Sequence, residues 1–301
     1  MHLHRSPSGF VVHAPAKLNL FFEVLGKRED GYHEIETLVT PIGLCDTLYF
    51  REASAGPIDF ACRQIVSATA VSDSGPQSIP AGPTNLVVRA IELLRERSGI
   101  VAGAVVRLIK RIPAAAGLGG GSSDAAAALL AANAGWRLGW PNGRLAALGA
   151  ELGSDVPLFF AGGPAVCRGR GELVEPVGSL GNLHFVVVRP PAGLSTAAVY
   201  RVCQPGAPPR RIAPLLEAFH RGNVRKAGRL MFNRLETAAE TLSPWIQRLR
   251  HELARMDCLG YQMSGSGSCY FGICRHARHA RRVAKRLEAN GVGIAYAVRG
   301  S

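Results

Sequence analysis

Between Ala14 and Leu25 apolar and polar positions alternate. Leu18, Leu20, Phe22 and Val24 fall on one side and Lys17, Asn19, Phe21 and Glu23 on the other. A period of two predicts a strand. Gly26 to Gly31 reads as a turn, with Asp30-Gly31 as the hairpin signal, and Glu34 to Thr40 resumes as a strand. Ser72 to Thr84, rich in Ser, Gly and Pro, predicts a loop. Leu86, Ala90, Leu93 and Leu94 then recur at helical spacing, so a helix is expected over 85–96, stopping near Gly99. Val105 to Ile109 reads as a strand, and the alanine-leucine block after Ser122 as a helix closed by Gly135. Further along, 145–152 predicts a helix, 153–157 a turn, 162–181 a glycine-bearing transition, and His184 to Arg189 (HFVVVR) a buried strand stopped by Pro190-Pro191. Pro205 to Pro214 is proline-rich and expected exposed. Helical patterns follow at 212–221, 224–230 and 243–256. A glycine-serine loop is expected from Gly260 to Ser268, then a strand over 269–273, a helix over 275–289 and a strand over 293–298. There is no repeat at a fixed period.

The most distinctive junction lies between the strand at 105–109 and the helix after Ser122. Gly117, Gly119, Gly120 and Gly121 crowd into five positions there. Glycine is a poor choice inside a packed element but suits backbone that takes unusual dihedrals close to a ligand. A strand, a glycine loop and a helix N-terminus together form an anion site, because the first helical amides lack internal partners and the dipole is positive there. Ser122 and Ser123 add hydroxyls. The loop is not a Walker A motif, since Gly121 is followed by serine with no lysine, and it is not the dinucleotide fingerprint. Read alone it is equally a flexible turn with Ser122 or Ser123 as an ordinary N-cap.

At 301 residues and 47% hydrophobic, the chain suits one large or two medium domains. The first residues, Met1 to Pro7, carry no apolar core of a signal peptide, and the alanine block at 125–134 is too short to cross a bilayer. A cytoplasmic protein with no membrane partner is expected. Seven scattered cysteines without a C-x-x-C pair read as buried free thiols. The net charge of +13 admits nucleic acid or anionic small molecules as partners. Its densest run, Arg275 to Arg286, has the spacing of a solvated helix face, and no RNA-binding motif or aromatic-interleaved basic patch accompanies it.

Three further places carry candidate chemistry. Lys17 and Asn19 share one face of a strand, where a lysine is ordinarily solvated but where the pair, aimed into a cleft, would hold a hydroxyl or phosphate oxygen. Tyr32 and His33 sit at a hairpin mouth, as a ring and an imidazole for a base or as ordinary cross-strand packing. Asp155, before Val156-Pro157, is either a helix cap or a general base.

Three stretches in this order resemble the GHMP kinases, the family of galactokinase and of homoserine, mevalonate and phosphomevalonate kinases. They are Ala14-Pro15-Ala16-Lys17-Leu18-Asn19, the loop from Pro113 to Ser123, and Met263-Ser264-Gly265-Ser266-Gly267. Asp30-Gly31-Tyr32-His33-Glu34 and Gly153-Ser154-Asp155-Val156-Pro157 narrow the resemblance to a member acting on a polyol carried by cytidine diphosphate. The resemblance implies a two-domain α+β fold, with an N-terminal βαβ-type nucleotide-binding domain over 1–165 and a C-terminal ferredoxin-like α/β sandwich over 166–301. It implies ATP, with Mg2+, along Pro113, Ala114, Ala115, Ala116, Gly117, Leu118, Gly119, Gly120, Gly121, Ser122 and Ser123. Lys17 and Asp155 match the catalytic pair. Asn19, Tyr32, His33, Thr196 and Tyr200 match substrate positions, with the base between Tyr32 and Tyr200. The metal ligands are not identified; Ser122, Ser123 and Asp155 are candidates. Ala114-Ala115-Ala116 departs from the glycines of many relatives and implies a stiffer loop entry. The partner implied is a small molecule rather than nucleic acid, for a monomer or homodimer. The alternatives are another small-molecule kinase of the family, of the homoserine or phosphomevalonate type, or a basic nucleic-acid-binding protein.

Overall fold

A computed structural model describes residues 1–65, 80 and 82–300. The elements run β1 (His2–Ser6), β2 (Gly9–Lys27), β3 (His33–Ala55), β4 (Ile58–Gln64), α1 (Leu86–Ser98), β5 (Ala102–Lys110), α2 (Gly120–Gly135), α3 (Asn142–Ala150) and a 3₁₀ turn (Pro157–Phe160). They continue through β6 (Ala165–Gly169), β7 (Leu173–Pro176), β8 (His184–Arg189), α4 (Thr196–Val202), α5 (Ala213–His220), α6 (Val224–Leu230) and β9 (Phe232–Asn233). The last are α7 (Leu235–Leu242), α8 (Pro244–Ala254), β10 (Gly260–Met263), β11 (Tyr270–Cys274), α9 (Ala277–Ala289) and β12 (Ile294–Arg299).

Two sheets result. The first has the order β1-β2-β3-β5-β4, with β6 and β9 pairing β3 and β2, and β7 pairing β6. Its β4 and β5 are parallel and joined through α1, so this is a βαβ unit. The second sheet has the order β10-β11-β8-β12 and is antiparallel throughout. Taken in chain order that is 2-3-1-4, the split βαβ arrangement of a ferredoxin-like sandwich. The expected two-domain α+β class is the observed one. The strands β6 and β7 belong to the first sheet by pairing, beyond the expected boundary at 165/166.

Three apolar clusters hold this together. One lies between the first sheet and α1, α2 and α3, around Leu48, Phe50, Ile91 and Leu129. Another lies under the second sheet, where α7, α8 and α9 cover Val186, Val188 and Tyr270. Between them Leu18, Leu20, Phe21 and Leu38 meet Phe185, Val187, Phe219 and Phe271. The β2–β3 hairpin is therefore covered on both faces. Of the two readings of Lys17, the solvated one is set aside: every residue from Ala14 to Val24 is buried, and Lys17 is only 5% exposed. Bulges at Pro15/Ala16, Asn19/Phe21 and Val24/Gly26 break the strict alternation.

Other expectations hold closely. The helix over 85–96 is α1, with the Asn85 side chain capping Val87 N–H and Gly99 closing it at φ 71°. The strand over 184–189 and the helix over 224–230 are observed as such. Several elements were not anticipated: β1, β4, β6, β7, α4, β9 and α7, and β10 in place of loop at 260–263. Most of the loop expected over 72–84 lies outside the described residues. The helix after the glycine loop starts at Gly120, with Gly119 as its cap, so Ser122 and Ser123 lie inside α2 and do not cap it.

A charged cluster lies in the core beneath the glycine loop. Lys110 ends β5 and is 4% exposed. Its ammonium donates to Asp46 Oδ2 on β3 and, at 2.6 Å, to Asp124 Oδ2 on α2. Asp46 Oδ1 also accepts the amides of Arg111 and Ile112 at 2.5 and 2.9 Å. Burial pulls the Lys110 ammonium toward neutrality, but the two carboxylates more than offset it and raise its pKa. Burial pushes the Asp124 carboxyl well above the usual carboxylate range, against Lys110 and with the charge of Asp46. The cluster ties the entry and exit of the glycine loop to one strand. Lys110→Ala leaves two buried carboxylates without their cation, so equilibrium denaturation should show a loss of about 3–5 kcal/mol; an unchanged midpoint would mean the cluster adds nothing to the fold.

Candidate active site

The glycine loop opens onto a cleft of about 1140 Å³. That exceeds the roughly 300–1,000 Å³ of a pocket for one drug-sized ligand, and suits two substrates side by side. Its wall runs from Pro80, Thr84, Asn85 and Leu108, past the loop from Pro113 to Ser122, to Lys17 and Asp155, and on to Tyr32, His33, Thr196 and Tyr200. Lys17, Lys27, Lys110, Arg170 and Arg201 line it against Asp124 and Asp155. The cleft is thus set for polyanions.

The loop's shape follows from two glycines. Gly117 has φ 73°, and a Cβ there would lie 2.1 Å from the Ser264 carbonyl oxygen. Gly119 has φ 68°, and its Cβ would lie 2.9 Å from Lys17 Cγ. Both positions need backbone that only glycine supplies without strain. Ala115 sits at φ 48° without that freedom, a strain of roughly 1–2 kcal/mol at the departure noted in the sequence. Past Gly119 the chain enters α2. The Ser123 amide bonds the Gly119 carbonyl, while the amides of Gly120, Gly121 and Ser122 precede the first helical bond. Ser123 is fully buried, and among the described residues neither its hydroxyl nor Asp124 Oδ1 has a partner.

Lys17 is fixed at both ends. Its backbone N–H donates to the Leu118 carbonyl at 2.9 Å, so the strand is bonded to the glycine loop. Its ammonium donates to Asn19 Oδ1 at 2.7 Å and lies 3.6 Å from Asp155 Oδ2. Asp155 reaches in from the turn before the 3₁₀ segment, with 43% of its side chain exposed. Asn19 is 2% exposed and stands behind the wall, its Nδ2 donating to Thr37 Oγ1 at 2.9 Å. Thr37 in turn donates to the Phe21 carbonyl.

The aromatic end is looser. Tyr32 is 56% exposed, with the Arg170 guanidinium 4.9 Å from its ring centre. The His33 and Tyr200 rings are 5.0 Å apart at 33°, in contact with each other. Burial, helped by Lys27, lowers the His33 pKa, so the ring is neutral at pH 7. Burial raises the Tyr200 phenol, which stays protonated. Thr196 Oγ1 pairs with Ser266 Oγ at 2.8 Å.

The structure thus brings Lys17, Asp155, Tyr32, His33, Thr196, Tyr200 and the loop from Pro113 to Ser122 to one cleft, and leaves Asn19 and Ser123 beneath its surface. Lys27, Lys110, Asp124, Arg170 and Arg201 were missed as lining residues. Lys110 had a readable signal: Ala104, Val106, Leu108 and Lys110 share the buried phase of β5. Among the described residues no group of three His, Cys, Asp or Glu can hold a metal ion, and no helix is long and apolar enough to cross a membrane.

Known proteins match this chain along its length. The model for the GHMP kinases N terminal domain matches residues 85–163, and that for the GHMP kinases C terminal matches 215–293. A 4-diphosphocytidyl-2-C-methyl-D-erythritol kinase of Pelotomaculum thermopropionicum is 42% identical over 91% of this chain and 92% of its own. One of Shouchella clausii is 37% identical over 91% and 89%. A crystal structure of 4-(cytidine 5'-diphospho)-2C-methyl-D-erythritol kinase superposes with a TM-score of 0.80, at 38% identity over 97% of this chain and 99% of that one. A homoserine kinase from Cytophaga hutchinsonii, 18% identical over 100% and 97%, shares the fold with a TM-score of 0.75. This chain belongs to the GHMP kinase family.

Proposed function

We propose that this protein transfers the γ-phosphoryl group of ATP to the 2-hydroxyl of 4-diphosphocytidyl-2-C-methyl-D-erythritol, a step of the non-mevalonate route to isoprenoid precursors, in the cytoplasm. The observation that carries the reading is the Lys17–Asp155 pair. It stands 3.6 Å apart between a phosphate cradle on one side and a ring cluster on the other. Relatives at 42% and 37% identity bearing that kinase's name support the choice of substrate.

The chain's groups divide the work as follows. The free amides of Gly120, Gly121 and Ser122 bind phosphate oxygens, with the α2 dipole behind them. Asp155 accepts the proton of the 2-hydroxyl as its oxygen forms the new bond to Pγ and the bond from Pγ to the bridging oxygen of ADP breaks. Lys17 holds that hydroxyl and offsets the charge gathering on the transferred group. Phosphoryl transfer needs little covalent help, so position and field dominate. Asn19, with both ends of its amide used inside the protein, holds the Lys17 ammonium in place rather than touching substrate.

The donors fit magnesium. Ser122, the orphaned Ser123 hydroxyl and Asp155 are hard oxygen ligands, and a cation that keeps several waters and shares its shell with phosphates needs few of them. Bound with ATP, it supplies charge neutralisation of the β- and γ-phosphates. Tyr32 and Tyr200 offer ring faces for the cytosine, and neutral His33 a hydrogen bond to its edge. Lys17, Lys27, Arg170 and Arg201, the cationic side chains of the cleft other than the carboxylate-bound Lys110, suit a diphosphate and a triphosphate together.

Asp155→Asn should lower kcat by about 10²–10⁴-fold while ATP affinity, read by titration calorimetry, stays near wild type. A loss below threefold would return Asp155 to a structural role. The lowered His33 pKa means the neutral ring persists down to and somewhat below the ordinary value of about 6.5. KM for the cytidyl substrate should therefore be flat from pH 8 to 7 and rise only in more acid solution as the ring gains a proton. In His33→Asn that rise should vanish and KM be high throughout. A rise that survives the substitution would locate the titrating group elsewhere.

A further inference from the structure

The loop from Met263 to Gly267 forms the wall behind the Lys17 ammonium. A Cβ on Gly265 would lie 3.4 Å from Lys17 Nζ and 3.2 Å from Asn19 Oδ1. Ser264 Oγ donates to the Gly117 carbonyl at 3.1 Å and accepts the Asn19 amide at 3.4 Å. Gly265 and Ser266 are on the cleft surface. The ladder between β10 and β11 reaches Met263, opposite Tyr270, and the Ser264 amide bonds the Cys269 carbonyl at 3.0 Å; beyond them the loop turns through two positive-φ glycines.

Two residues that do not line the cleft add a second hold on this turn. Asn233 is 5% exposed. Its Nδ2 donates to the carbonyls of Met263 and Gly265, at 2.9 and 2.8 Å, and its Oδ1 accepts the Leu235 amide at 3.0 Å. Every hydrogen-bonding position of that amide is used but one. Glu236, one residue past Leu235, accepts the Met263 amide at 3.1 Å on Oε2 and the Tyr270 hydroxyl on Oε1. Burial raises the Glu236 pKa despite those two bonds. Asn233 is itself tied to the strand bearing Lys17. The two-residue β9 runs parallel to β2, with Phe232 against Phe21 and Asn233 against Phe22, and the next amide, of Arg234, bonds the Phe22 carbonyl at 2.8 Å. Arg234 then closes on the fully buried Glu23 of β2 through Nε and Nη2, at 2.7 and 2.9 Å.

We infer that Asn233 and Glu236 are positioning residues for the phosphoryl transfer proposed above, on which this inference rests. They bracket the loop from Met263 to Gly265 against β2. The hydrogen-bonded circuit so closed, β2 to β9 to loop to Asn19, sets the Lys17 ammonium against the glycine loop. An ångström of slack at such a group costs rate more than affinity. The bracket touches neither nucleotide nor acceptor, so it acts on kcat and leaves both KM values alone.

The test compares Asn233→Ala, Glu236→Ala and Glu236→Gln with wild type in steady-state kinetics, thermal unfolding and competitive acetylation of Lys17 followed by mass spectrometry. The labelling needs no substrate, so it reports on the bracket even if the proposed acceptor is wrong. Asn233→Ala and Glu236→Ala should lower kcat between about 10- and 100-fold, keep each KM within about twofold and raise the acetylation rate of Lys17. Glu236→Gln should stay near wild type, because an amide oxygen still accepts the Met263 N–H. If Asn233→Ala does not fold, Asn233→Asp keeps the Leu235 cap, loses the donor and should give the same pattern. Unchanged Lys17 labelling in both alanine variants would overturn the inference. So would kcat lost only in step with the unfolding temperature, with Glu236→Gln as impaired as Glu236→Ala. Labelling as expected in a protein that does not turn over the cytidyl substrate would retain the bracket and refute the acceptor.

Discussion

The site depends on one constraint: a lysine ammonium kept inside the protein at a fixed height over a glycine loop. Lys17 is 5% exposed, on a strand whose residues are buried on both faces. A charge in that position needs its hydrogen bonds supplied by the protein or a ligand. Asn19 supplies one and Asp155 partial compensation at 3.6 Å, leaving capacity directed at the cleft. The strand's amide bond to Leu118 means the loop and the cation cannot move apart without breaking backbone pairing. Gly119 is glycine because the Lys17 stem occupies the space of its side chain.

That arrangement is possible because three cores meet around one hairpin. The first sheet packs its helices on one side, the second sheet packs its own, and β2 and β3 are shared by the middle cluster. Lys110, Asp46 and Asp124 then fasten the loop's two ends from beneath, with opposed charges in place of apolar packing. Among the described residues three buried side-chain polar atoms are left without a partner, and two of them, the Ser123 hydroxyl and Asp124 Oδ1, lie in the first turn of α2, the third being Gln262 Oε1 on β10.

Much of this was legible in the chain. The glycine loop and the helix after it are local patterns and survive into the fold, as does the strand around Lys17, though bulges break its alternation. The helix expected over 85–96, stopping near Gly99, is α1, which Asn85 caps and Gly99 closes. What was not legible depends on partners distant in sequence. Burial of Lys17 requires the second sheet, which begins at His184. The strand β9 is two residues long and exists only because β2 accepts it, so no periodicity could announce it. The transition at 162–181 hides β6 and β7, whose pairing to β3 is non-local. Lys110 could have been found from the buried phase of β5, but a lysine in an apolar run reads first as the strand's end. The contact between His33 and Tyr200 joins a hairpin mouth to a helix far along the chain, and only the fold reveals it.

The most direct measurement incubates the purified protein with ATP, magnesium and 4-diphosphocytidyl-2-C-methyl-D-erythritol. It follows ADP release and reads the product by phosphorus NMR, with homoserine and phosphomevalonate in parallel. The account predicts turnover of the cytidyl substrate alone, and a new monoester phosphate on the 2-oxygen of its product. Turnover of either other acceptor, or none of the cytidyl compound by a protein that binds ATP, would contradict it.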